Sequence, residues 1–205
     1  MARARVLLLG DSTRLTYQDR LSRLVSEDGL EVVGPGGSTG DAAGLAAGAE
    51  AWVEEFKPDI TCFACGPWPT EALLRVGASR DGIDAFEPGS LGDFDRGLMD
   101  AVAALQRWCG RQLVYVTTLP VHEERLGRAC GDPDFGRRLN SWIAQYNQQA
   151  VSLLGQLNVG AADLYHEIAR YDDDALADDG VTLSPAGVEL AARVAAKGIY
   201  GVVHP

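Results

Sequence analysis

Ser12 follows directly on the run Val6-Leu7-Leu8-Leu9-Gly10-Asp11, and an amphipathic helical pattern begins at once behind it. A serine at such a junction has two uses. Its hydroxyl can attack an acyl carbon while the free N–H groups of the helix start receive the developing oxyanion. Alternatively, Asp11 and Ser12 cap the helix, the ordinary role of these residue types there. A nucleophilic serine needs a base, and the chain holds three histidines. His204 is penultimate and expected to fray. His166 belongs on an outward helix face. His122 follows the fourth apolar run, at the sheet edge that also carries Ser12. There it is either a base within reach of Ser12 or a rim residue beside solvated Glu123, Glu124 and Arg125.

Positioning Ser12 takes a strand before it and a helix after it, and both patterns are present. A short apolar run bounded by glycine is a central strand buried on both faces. Tyr17, Leu21, Leu24 and Val25 then recur at helical spacing as far as Asp28-Gly29. The alternation repeats with a strand at 30–33, a glycine-rich turn at 34–40 and a helix through Leu45, Ala49, Trp52, Val53 and Phe56. A strand at 60–65 stops at Gly66-Pro67-Trp68-Pro69-Thr70, where two prolines forbid its continuation. Residues 71–90 read as a short helix over 71–76 and then irregular chain. A long helix through Phe94, Leu98, Val102 and Leu105 follows, then a strand at 112–118 and a second long helix at 134–156. A strand at 159–164, a short helix holding His166 and a last helix from Ser184-Pro185 complete the series. Strands alternating with helices predict an α/β fold: a three-layer α/β/α sandwich with a five-stranded parallel sheet, flavodoxin-like, as one domain over 1–205.

Composition narrows the chemistry. The net charge of −11 speaks against a nucleic-acid backbone or an anionic membrane as partner and leaves a small molecule. The basic N-terminus runs into only four apolar residues before Gly10-Asp11, too few for a signal peptide, so a cytoplasmic protein is expected. Cys62 and Cys65 form a C-x-x-C inside a strand pattern, where two small buried residues are the expected reading. The glycines at 34–40 lack the spacing of a dinucleotide or phosphate loop, so no cofactor is called for. They can still present backbone N–H groups to a ligand, or simply form a turn. Asp172, Asp173, Asp174, Asp178 and Asp179 read as a solvated acidic run, with no metal site implied.

Asp179-Gly-Val-Thr-Leu-Ser-Pro-Ala-Gly187 completes a larger pattern. Together with Gly10-Asp11-Ser12 and Gly40, it makes the chain resemble the SGNH/GDSL hydrolase family over nearly its whole length. The likeness is greatest to a subgroup with Gly-Asp-Ser-x-Arg, here Gly10 to Arg14, with Thr-Thr-x-Pro-Val, here Thr117 to Val121, and with Tyr-Asn, here Tyr146-Asn147. The resemblance implies Ser12 as nucleophile, its N–H and that of Gly40 as oxyanion donors, and Asp179 as the acid that orients a histidine. This sequence departs from the family at two places. Thr182 stands where the histidine belongs. Gly66-Pro67-Trp68-Pro69 replaces a Gly-x-Asn-Asp or Gly-Leu-His-Asp block, leaving the Trp68 indole as the only side-chain donor in that block.

Three functions follow from this inventory. One is ester hydrolysis or acyl transfer at Ser12 with a rewired base, for which His122 is the candidate. The second is a repurposed pocket that binds a small molecule or guides a rearrangement such as a cyclisation, using Trp68, Tyr17 and His122. The third is a non-catalytic interaction protein. Asp11, Ser12, Arg14 and Gly40 favour a working pocket, and Thr182 favours the second reading over the first.

Overall fold

A computed structural model describes residues 3–76, 89–109 and 112–203. His204 and the irregular stretch at 77–88 lie outside the described residues. In chain order the first half holds β1 (Ala4–Leu9), α1 (Ser12–Ser26), β2 (Leu30–Val33), α2 (Ala42–Phe56), β3 (Ile60–Ala64) and α3 (Thr70–Val76). The second half holds α4 (Leu91–Cys109), β4 (Leu113–Val116), α5 (Glu123–Cys130), α6 (Phe135–Gln156) and β5 (Gly160–Ala162). It closes with α7 (Leu164–Ala169), α8 (Asp172–Ala175) and α9 (Pro185–Val203).

The strands pair in the order β2-β1-β3-β4-β5, all parallel. Residues 6–9 of β1 are fully buried because the sheet is covered on both sides. Their pleat assigns them alternately to the two layers. Val6 and Leu8 join Cys62, Val114 and Val116 under α1, α7 and α9. Leu7 and Leu9 join Phe63, Leu113 and Tyr115 under α2, α4 and α6. Each fully buried aliphatic side chain contributes about 1.5–3 kcal/mol. Helix α1 buries Tyr17, Leu21 and Val25 at a spacing of four, the stripe its pattern predicts. Its partner α9 starts at Pro185 with the Ser184 hydroxyl accepting from the Gly187 N–H at 3.1 Å. Gly187 is required there, since a Cβ would lie 2.0 Å from the Ala175 carbonyl oxygen.

The chain reverses its order across the sheet between β1 and β3, where an open α/β sheet opens a crevice at the carboxyl ends of its strands. Ser12 leaves β1 and Trp68 leaves β3 at that point. Two elements go beyond the sequence reading. Residues 123–130, expected only as a strand exit, form α5, with the His122 ring as its cap. The acidic run, expected as loop, holds the short helix α8.

Candidate active site

The turn after β1 is built around Asp11. Its Oδ1 accepts from the Thr13 N–H at 3.0 Å and so caps α1. Its Oδ2 accepts from both the N–H and the hydroxyl of Thr70, each at 2.7 Å, and the Thr13 and Thr70 hydroxyls meet at 2.7 Å. Asp11 therefore fastens the start of α1 to the start of α3. Ser12 is the first residue of α1, half-buried, and its hydroxyl has no hydrogen-bond partner among the described residues. Its N–H donates to Glu71 Oε1 at 3.2 Å.

Arg14 secures the second loop. It is 1% exposed, and its guanidinium donates to Gln18 and to the carbonyls of Pro35 and Gly37. Burial lowers its pKa, with Tyr17 and Asp11 pulling the other way, and an arginine keeps its charge through such a shift. The Thr39 hydroxyl bridges the Gly10 N–H at 2.8 Å and the Gly10 carbonyl at 3.0 Å. These bonds bring Gly40 beside the Ser12 turn. Gly40 adopts φ +73°, the left-handed conformation for which glycine is suited, and its N–H donates to the Ser38 hydroxyl at 3.2 Å. Asp11, Arg14, Tyr17, Gly40, Trp68 and Thr117 line one cavity, so four loops from one sheet edge converge.

The walls come from β3 and β4. Trp68 packs on Trp142 with ring centroids 6.4 Å apart and edge-on to Tyr146 at 5.6 Å, and Tyr146 meets Phe94 at 5.0 Å. The loop after β4 is held by amide side chains of α6. Asn147 pairs with the N–H and carbonyl of Thr118 at 2.9 and 2.8 Å, and Asn140 does the same for Val121 at 2.8 and 2.9 Å. Asn140 and Asn147 thus fix that loop, and the Thr117 hydroxyl ties it to α7 by accepting from the Tyr165 N–H at 2.9 Å.

The Asp179 loop is equally ordered. Asp179 Oδ1 accepts from the N–H groups of Val181 and Thr182, both at 2.8 Å, and Oδ2 accepts from the Thr182 hydroxyl at 2.7 Å. Burial opposes the charge, yet these bonds hold the carboxyl below its usual range. Val181 packs with Leu73, Val121 and Leu126, beside Trp68, which ties this loop to those after β3 and β4.

The structure gives His122 other partners than Ser12. Its backbone N–H donates to Gly180 O at 2.7 Å, Nδ1 accepts from the Arg125 N–H at 3.4 Å, and Nε2 meets Asp173 Oδ1 at 2.9 Å. At 8% exposure it is not a solvated rim residue either. Asp173 is exposed, as expected of the acidic run, and His122 first, then Arg125, draw its pKa down. Cys62 and Cys65 are buried free thiols, as their strand context predicts. The sequence reading missed Glu71, whose only signal was an acidic residue in the first turn behind the Pro-Trp-Pro loop.

No family model matches this chain, and no curated protein matches it in sequence. Solved structures do. A lipase/acylhydrolase from Enterococcus faecalis superposes with a TM-score of 0.70 at 17% identity, over 97% of this chain and 96% of that one. A variant of the acetyl xylan esterase Axe2 from Geobacillus stearothermophilus gives 0.72 at 18% identity, over 97% of each. A GDSL-like lipase from Bacteroides thetaiotaomicron gives 0.68 at 11% identity, over 96% and 88%. The fold is that of the SGNH/GDSL hydrolases. Within this SGNH fold the loops follow the strand order, so Gly40 after β2, Ser12 after β1 and Trp68 after β3 stand side by side at one sheet edge.

Proposed function

We propose that this SGNH-fold chain acts on a small molecule at a pocket centred on Ser12, with ester hydrolysis or acyl transfer at most weak. The observation that carries this reading is the bond from the Thr182 hydroxyl to Asp179 Oδ2 at 2.7 Å. Asp179 is ready to orient a base, and the group it orients is a hydroxyl that takes no proton at neutral pH. General-base help is worth typically about 10²–10⁴ in rate, and one oxyanion donor about 10²–10³. The hydrogen bonds that hold Asp11, Arg14 and Gly40 in place, with Trp68 as a wall, support a working pocket over a bare scaffold. Binding or a non-hydrolytic rearrangement is the second reading, and it is favoured by the absence of an imidazole partner for the Ser12 hydroxyl among the described residues.

The test is kcat/KM on a short-chain aryl ester for wild type, Ser12→Ala and Thr182→His. Wild type should lie near the uncatalysed rate, and Thr182→His should gain activity that Ser12→Ala then removes. Wild-type turnover comparable to ordinary esterases, lost in Ser12→Ala, would refute the incomplete-triad reading. No gain in Thr182→His leaves binding or rearrangement.

A further inference from the structure

Resting on the Ser12-centred reading above, we propose that Glu71 determines what reaches Ser12: its carboxylate occupies the acyl-oxygen position at the Ser12 N–H and excludes ester carbonyls and carboxylates. The N–H of an attacking residue at a helix start is one of the free donors of that helix, and a reacting carbonyl oxygen uses it as its charge develops. Here Glu71 Oε1 already accepts from the Ser12 N–H at 3.2 Å. A carbonyl or carboxylate oxygen would have to displace it, and an oxyanion formed beside it would meet a like charge.

The other oxygen lies away from solvent. Glu71 Oε2 is buried and has no hydrogen-bond partner among the described residues. Neighbouring groups are already committed. Both oxygens of Asp11 are taken by Thr13 and Thr70, and the Gly40 N–H by Ser38. Glu71 Oε1 is therefore the acceptor that stands at the Ser12 N–H. In this sequence the block that in relatives supplies a donating side chain is followed by an acceptor, which inverts the polarity of the site.

Acetate titration, followed on the Ser12 amide cross-peak in ¹H–¹⁵N spectra, tests this without relying on turnover. Wild type should show no saturable shift, whereas Glu71→Ala should bind acetate at least tenfold more tightly. Glu71→Gln, which removes the charge and keeps the shape, should fall between them and serves if the alanine variant misfolds. Equal acetate binding in wild type and variants, or none in any, would overturn the proposal and leave Glu71 as a simple cap of α1. Labelling of Ser12 by a fluorophosphonate, read by intact mass on the same proteins, reports separately on whether the serine reacts. Acetate discrimination without labelling would sustain Glu71's role while defeating acyl chemistry at Ser12.

Discussion

A threonine hydroxyl satisfies Asp179 as an imidazole N–H would, so on the proposed reading the loop keeps its shape without a base. On that reading a threonine here is conservative for folding and severe for catalysis, because hydrogen bonding and proton transfer ask different things of the same position. Thr182→His alone restores a base but leaves the Glu71 carboxylate at the Ser12 amide. The double variant Thr182→His with Glu71→Ala should therefore exceed the product of the two single gains in kcat/KM on an aryl acetate, by about tenfold or more. Strict multiplicativity in that cycle would show that the two residues act independently. At this scale Ser12, Gly40, Thr182 and Asp179 stood out as candidates because each belongs to a motif with fixed spacing. Glu71 was not, since its role arises only when Asp11 draws α3 against α1. Nor was the His122–Asp173 pair, whose members stand 51 residues apart in sequence.

The helices and strands followed from periodicity wherever an apolar stripe was long enough. Helix α1 and strands β1 and β3 were plain for that reason. Helix α5 was not, since only Leu126, Gly127 and Cys130 are buried along it and its cap is a histidine ring, an unusual residue for that role. What joins the elements into a site is a small set of polar side chains: Asp11 between α1 and α3, Arg14 between α1 and the loop after β2, and Asn140 and Asn147 between α6 and the loop after β4. Arg14 is the most buried of these charges. Arg14→Met should keep the apolar stem and strand the Pro35 and Gly37 carbonyls without a donor. A loss of about 3 kcal/mol is expected, seen as a lower urea midpoint. A change below about 0.5 kcal/mol would mean that the loop rehydrates without cost.

Across the whole molecule, burial of groups that want to ionise sets the pH range of stability. The thiols of Cys62 and Cys65 are both pushed up to about 12 by burial, Cys65 also by Asp41. In the unfolded chain they ionise near 8.5. Their contribution to stability is therefore complete below about pH 8.5 and disappears as the pH climbs towards 12. Tm should fall from about pH 9 upward, and Cys62→Ala with Cys65→Ala should flatten that fall. Burial raises Tyr17 and Tyr115 as well, so a residual slope should begin about a unit higher. An unchanged alkaline slope in the double variant would place its origin elsewhere. At the acid end the sign is opposite. Asp179, held below its usual range, contributes stability above about pH 3.9 that is lost as the pH falls through its lowered value. The sheet's two borders have a different consequence. Among the described residues β2 pairs only with β1 and β5 only with β4, and these border strands are four and three residues long. A neighbouring chain that approaches either margin meets a template too short to extend, on a molecule that carries eleven excess negative charges. Crowding such molecules together therefore brings repulsion before it brings strand addition.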